Sequence, residues 1–258
     1  MIPYITSTVF YLGPIPIRTW GFFVGLGFLL GAWVAARRAK KVALNPNVVW
    51  DLSGWLLASA MIGARIFHVL FYDWSYYVAH PWAALDPRAP GFAIYGGFLA
   101  CVLVFWRYVR KHQLNFIEYA DAMIWGVPWG CGVGRIGCFL IHDHPGTLTS
   151  FVGGVKYPDG HVRHDLGLYL SIVGFAVAAI FLVVDRRTRH PGFWLGLFLV
   201  LDGISRIGLD FLRTVDRTIF GLTPTQWVTI PLVVVGIFLI SSSSRRRGSS
   251  TGFPPTRE

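Results

Sequence analysis

Residues 132–146 read GVGRIGCFLIHDHPG, and the run from 119 to 141 that leads into them is apolar except for Asp121 and Arg135. A stretch of that length and character is a candidate membrane span. A permanently charged guanidinium in such a span needs an inward-facing partner or a polar surface within reach, because each arginine at a helix centre costs about 2.5–3.5 kcal/mol on the insertion scale.

The rest of the 258-residue chain repeats the pattern. It is 54% hydrophobic and 14% charged, and apolar runs at 20–36, 52–72, 92–109, 119–141, 166–184, 193–212 and 227–240 predict an all-α polytopic membrane protein of about seven helices. The net charge of +10 follows topology. Arg37, Arg38, Lys40 and Lys41 follow the first run, Arg107, Arg110 and Lys111 the third, Arg186, Arg187 and Arg189 the fifth, and Arg245, Arg246 and Arg247 the seventh. Alternate basic loops predict an N-terminus outside and a cytoplasmic C-terminus, and this placement excludes nucleic acid as the reason for the charge. The first twenty residues lack a basic leader and a small-residue cleavage site, so they read as a retained interfacial segment.

One domain is expected over 1–240, followed by a basic, disordered cytoplasmic tail at 241–258. The loops at 73–90 and 142–165 are the long ones, and they read as irregular and functional. Cys101, Cys131 and Cys138 lie within apolar runs without a paired spacing, so each reads as a small buried residue. His142 and His144, with His161 and His164 nearby, match no metal-ligand spacing, and neither a metal nor a cofactor is expected.

Arg65, Arg135 and Arg206 fall inside spans. Asp202, Arg206, Asp210 and Arg213 share one helix face, which reads either as an ion-pair ladder or as the wall of an anion-accepting cavity. Arg135 sits among Gly130, Gly132, Gly134 and Gly137, which allow close approach by a helix or a ligand. A guanidinium in that setting suits bidentate binding of a phosphate, and the candidate anion is a phospholipid headgroup. Tyr95-Gly96-Gly97 reads either as a helix-packing pair or as a second glycine-permitted site.

The run GVGRIGCF, followed by an acid and a glycine, resembles the signature Gly-Arg-x-Gly-Asn-Phe-x-Asn-x-Glu-x-x-Gly of the prolipoprotein diacylglyceryl transferase family. The matching positions are Gly134, Arg135, Gly137, Phe139, Asp143 and Gly146. TWGFFVGLGFLLG, GARIFHVLFYD, IYGGFLA, SRIGLDFLR and GLTPTQWVTIPLVVVG extend the likeness along most of the chain.

The resemblance implies a seven-helix inner-membrane enzyme that moves the diacylglyceryl group of phosphatidylglycerol to the lipobox cysteine thiol of a prolipoprotein and releases glycerol phosphate. Such chemistry needs cations for the developing phosphate charge and a proton acceptor for the thiol. By the resemblance, Arg135 and Arg206 face the phosphate. Gly96, Gly97, Gly134, Gly137, Gly146, Trp20, Arg65, Asp143 and Asp210 fall on its substrate-binding motifs.

The chain departs from the pattern at Tyr95, where the family has histidine, and at Cys138, Ile141 and Asp143, where it has Asn, Asn and Glu. Trp20 and Asp202 replace tyrosines. A phenol with a pKa of about 10 is a poor base for a thiol near 8.5, so His142 or His144 is expected to take that role. Two other readings are a paralogue with a different acceptor and a non-catalytic membrane protein that binds phospholipid or handles anions.

Overall fold

The computed structural model describes residues 1–72, 74–86, 91–186, 189–214 and 220–249. Arg187 and residues 250–258 of the basic tail lie outside them. The elements in chain order are β1 (Ile2–Pro3), β2 (Val9–Leu12), β3 (Ile15–Arg18), α1 (Thr19–Lys41), α2 (Pro46–Phe71), α3 (Trp74–Ala79), a 3-10 turn (Pro81–Leu85), α4 (Ile94–Lys111), α5 (Phe116–Ile124) and α6 (Val127–Ile141). They continue with β4 (Pro145–Leu148), β5 (Val155–Lys156), β6 (Val162–Asp165), α7 (Leu166–Val184), α8 (Phe193–Asp210) and α9 (Pro224–Ser249).

Among the described residues, α1, α2, α7 and α9 are long and apolar enough to cross a membrane, and the bent pair α5–α6 makes a fifth candidate. The chain is a polytopic membrane protein. Large apolar side chains such as Leu29, Trp33, Met61, Ile62, Val234 and Phe238 are exposed on these helices, as lipid-facing surfaces require.

The run at 119–141 is not one straight helix. It breaks at Trp125 and Gly126 with a bend of 40°. Pro128, in the first turn of α6, has no N–H to continue the preceding ladder.

Close glycine contacts, rather than interlocked large side chains, bring α6 against α1. A Cβ at Gly31 would lie 3.0 Å from the Gly126 carbonyl oxygen, and one at Gly130 would lie 2.9 Å from that of Gly27. The four-residue glycine spacing on both helices is a small-residue interface of the membrane type. Replacing Gly126 with leucine drives a side chain into the Gly31 backbone. Overpacking of this kind costs about 1–3 kcal/mol or more, so this variant is expected to lower the unfolding temperature in detergent; an unchanged value would contradict this packing.

The expectation of an all-α chain is corrected by a small sheet system at one end of the bundle. β1, β5, β6 and β4 form a four-stranded sheet in that order, and β2 pairs with β3 as a hairpin. The loop at 142–165 and the first residues are therefore built structure. Gly160, at φ +83°, closes the β5–β6 hairpin after Asp159, which is turn chemistry that glycine meets without strain. His161 N–H and Arg163 donate to Asp159 and hold its carboxyl below the usual range.

The opposite end carries the basic loops. Arg38 and Lys41 bind Asp185 at 2.7 and 2.6 Å. The Asp121 carboxylate accepts from the N–H groups of Gly192 and Leu195 at 2.7 and 2.8 Å, capping the start of α8.

Candidate active site

Arg135 lies six residues before the end of α6 at the sheet end, with α1 and α7 drawn close on either side. Gly137 packs against Trp20 and Phe23 of α1, and Gly132 packs against Phe175 of α7. Ser171 Oγ donates to the Gly132 carbonyl at 2.7 Å. The half-buried guanidinium has no ion pair among the described residues; its Nη1 points at Cys138 Sγ, 3.8 Å away.

Arg206 reaches the same place from α8. Its Nε donates to Asp202 at 2.6 Å. Both guanidiniums line a cavity of ≈ 10 Å³, room for about one water molecule, together with Asp202 and Cys131. Two permanent cations facing one carboxylate leave a net positive charge in an apolar setting. That charge calls for an anion.

Cys131 also lines an apolar groove of ≈ 320 Å³ between α1, α2, α5 and α6, which continues past Gly130, Gly126, Phe28 and Leu56. Gly134 borders this groove, with nothing nearer than the Val24 Cα at 3.9 Å from a Cβ built there. An apolar groove that shares a wall residue, Cys131, with a cationic cavity offers the two kinds of surface that an anionic amphiphile presents.

Other expected site residues make contacts within the fold. Arg65 donates to the carbonyls of Ala84 (3.1 Å), Gly91 (3.1 Å) and Ala83 (2.8 Å), and so ties the 3-10 turn and Gly91 to α2. Gly96 and Gly97 seat α4 on α2: a Cβ at Gly97 would lie 3.0 Å from the Ala60 carbonyl, and one at Gly96 would meet Phe67 and Gly63. Gly146 bridges to Arg213, where a Cβ would lie 2.7 Å from the Leu212 carbonyl. Asp210 is buried, accepts from Thr223 Oγ1 at 2.6 Å and lies 3.8 Å from Arg213. Tyr95 is half-buried, without a hydrogen bond among the described residues.

The histidines separate. His142 is buried, with Nδ1 2.7 Å from Asp165 Oδ2 and Nε2 3.2 Å from the Ile5 carbonyl, and its ring stacks on Tyr4 at 4.1 Å. Both ring nitrogens are engaged in these contacts. Asp165 also accepts from the Tyr157 hydroxyl at 3.0 Å and from the Leu168 N–H at 3.0 Å, so one buried carboxylate joins loop, sheet and the start of α7. Burial first, then the charge and hydrogen bond of Asp165, push the Tyr157 phenol up.

His144 Nδ1 lies 2.5 Å from Asp143 Oδ1, and both side chains are about a third exposed, at 29% and 33%. Asp143 therefore pairs with His144. Asp143, His144 and the buried Cys138 each offer a ligand atom, all within 4.8 Å of one another. Sequence reading assigned Cys138 to packing; its neighbours 143 and 144 reach it only because His142 takes the left-handed conformation at φ 50° and turns the chain back.

Comparison with known proteins matches residues 7–242 to the family described as prolipoprotein diacylglyceryl transferase. The phosphatidylglycerol–prolipoprotein diacylglyceryl transferase of Chromohalobacter salexigens is 30% identical over 95% of this chain and 94% of its own length. Those of Nitratidesulfovibrio vulgaris Miyazaki F and Finegoldia magna are each 31% identical, over 97% and 87% of this chain and 97% and 90% of their own lengths. The paired arginines beside an apolar groove thus sit within a sequence match that runs from the first hairpin into α9, and the chain belongs to the prolipoprotein diacylglyceryl transferase family.

Proposed function

We propose that this protein transfers the diacylglyceryl group of phosphatidylglycerol to the lipobox cysteine thiol of a prolipoprotein, forming a thioether and releasing glycerol phosphate. The observation that carries this reading is the convergence of Arg135 and Arg206 on one small cavity with Asp202, a cavity that shares Cys131 with the apolar groove. Acyl chains occupy the groove and the phosphate meets the guanidiniums. As the C–O bond breaks, charge builds on the leaving phosphate oxygen, and prealigned cations in a water-poor site favour that state over the ground state.

The topology fits the same reading: seven spans, the N-terminus outside and the C-terminus in the cytoplasm of the bacterial inner membrane, with 1–240 as one unit. The helices α4 and α8, each carrying three charged residues, complete the seven, and the sheet end faces outward, opposite the basic loops. Thiol activation falls to the Asp143–His144 pair, which is open at that outer end.

The test uses the purified protein in phosphatidylglycerol vesicles with a lipobox peptide and its Cys→Ser counterpart. The expected result is a peptide mass increase of one diacylglyceryl group, dependent on the cysteine. Absence of the adduct, or its appearance on the serine peptide, would overturn the reading. In the same assay His144→Ala is expected to lose about 10²–10⁴-fold in rate, while Tyr95→Phe retains most of it; the reverse ranking would place the activating group on α4.

A further inference from the structure

Cys138, Asp143 and His144 bring a thiol, a carboxylate and an imidazole together beside the phosphate cavity. We propose that these three side chains hold a zinc ion whose fourth position takes the acceptor thiol, so that the cysteine is alkylated as a metal-bound thiolate. The inference rests on the transferase reading for the identity of the acceptor; the metal site itself does not.

Local geometry favours a metal at this place. The left-handed residue His142 folds positions 143 and 144 back over Cys138, a juxtaposition that a continuous helix would not make. His142 is itself held by Asp165 and the Ile5 carbonyl, so the turn is fixed from beneath. Asp143 Oδ1 and His144 Nδ1, two ligand-competent atoms, already lie 2.5 Å apart, so a cation meets both without a change of partners. Three protein ligands of sulfur, nitrogen and oxygen type with one position left open are the arrangement of a reactive zinc site. The partly exposed carboxylate and imidazole leave an entry path.

Electrostatics permit it next to Arg135. A dication bound by a thiolate, a carboxylate and a neutral imidazole has no net charge, so it adds no repulsion to the guanidinium 3.8 Å from Cys138 Sγ. Binding the acceptor thiol as thiolate then makes the site anionic, and Arg135 balances it. The chain has a phenol where the family pattern has histidine, and a metal supplies what that phenol lacks: a coordinating thiol is deprotonated outright at neutral pH.

The step balances. The acceptor thiol loses its proton to water on binding zinc. Its sulfur forms a bond to the glyceryl carbon as the bond from that carbon to the phosphate oxygen breaks. The electron pair leaves on the oxygen held by Arg135 and Arg206, and glycerol phosphate departs.

Cobalt(II) tests the site without reference to turnover. Metal-free full-length protein in nanodiscs is expected to bind one equivalent with a thiolate-to-cobalt charge-transfer band and tetrahedral ligand-field absorption. Cys138→Ala removes the band although Cys101 and Cys131 remain, and His144→Ala, a partly exposed position safe for folding, weakens affinity by more than about 10-fold. Adding lipobox peptide intensifies the thiolate band, and the Cys→Ser peptide does not. Chelation of the native protein lowers transfer by at least about 10-fold, and zinc restores it.

No thiolate band in the wild type, or a band that persists in Cys138→Ala, overturns the site. A band indifferent to the peptide thiol, or transfer indifferent to chelation, overturns the activating role. A normal cobalt spectrum that responds to the peptide thiol, with no transfer in any metal form, would instead count against the transferase reading and leave the metal site standing.

Discussion

Replacing Arg135 with alanine is expected to lower diacylglyceryl transfer by about 10²–10³-fold, the loss seen when one prealigned donor to a developing negative charge is removed. The loss should fall mainly on kcat, because the charge it meets is larger in the transition state than in the bound lipid. Lysine at 135 restores a point charge but not the planar fork, so it should recover only part of the rate. Folding should be spared. Arg135 has no ion pair among the described residues, and removing an uncompensated charge from a membrane helix relieves a cost of about 2.5–3.5 kcal/mol. An inactive variant with an unfolding temperature equal to or above the wild type is therefore the expected pair of results. Arg206→Ala should differ in stability, since it leaves Asp202 without the partner it now has at 2.6 Å. A fully active Arg135→Ala enzyme would remove the basis for the phosphate assignment.

Asp165→Ala is expected to have the largest effect on stability, about 3–5 kcal/mol, because several buried groups lose one shared acceptor. At 1% exposure its carboxylate joins His142, Tyr157 and the first turn of α7, so three partners lose their acceptor at once. Thermal unfolding and amide exchange across 145–165 would read the change, and the sheet should lose protection before the helices do. Cys138, Asp143 and His144 would also lose their alignment, because His142 fixes the turn between them. A pH arm follows from Tyr157, whose phenol is held above its ordinary value of about 10. Its folded form keeps the proton that the unfolded form loses, so this contribution is constant below about pH 10 and is lost as pH rises further. Tyr157→Phe should blunt that alkaline decline.

The helices were legible because roughly twenty apolar residues have few alternatives to crossing a bilayer. The break at Gly126 was masked by apolar residues on both sides, although Pro128 carried the signal. Six strands of two to four residues are too short to show alternation; Asp159-Gly160 was the one turn signal for the β5–β6 hairpin. Arg135 and Arg206 stood out because charge within a span must be answered. Arg65 looked the same in sequence and is answered by backbone carbonyls, a distinction made only by the chain folding over it. Gly96 and Gly97 were ambiguous between ligand and helix contact, and Phe67, Gly63 and Ala60 supply the helix contact. Cys138 read as packing because its partners are five and six residues away, beyond a left-handed turn that histidine seldom signals.

The central claim is that one bond to phosphate breaks as one bond to sulfur forms. Its most direct test follows phosphatidylglycerol labelled in both the diacylglyceryl group and the headgroup, and measures thioether and free glycerol phosphate over the same turnovers. The account predicts equal amounts of the two, both dependent on the peptide cysteine and both lost in Arg135→Ala. Glycerol phosphate released without a matching thioether, or thioether formed with the headgroup still attached, would contradict it.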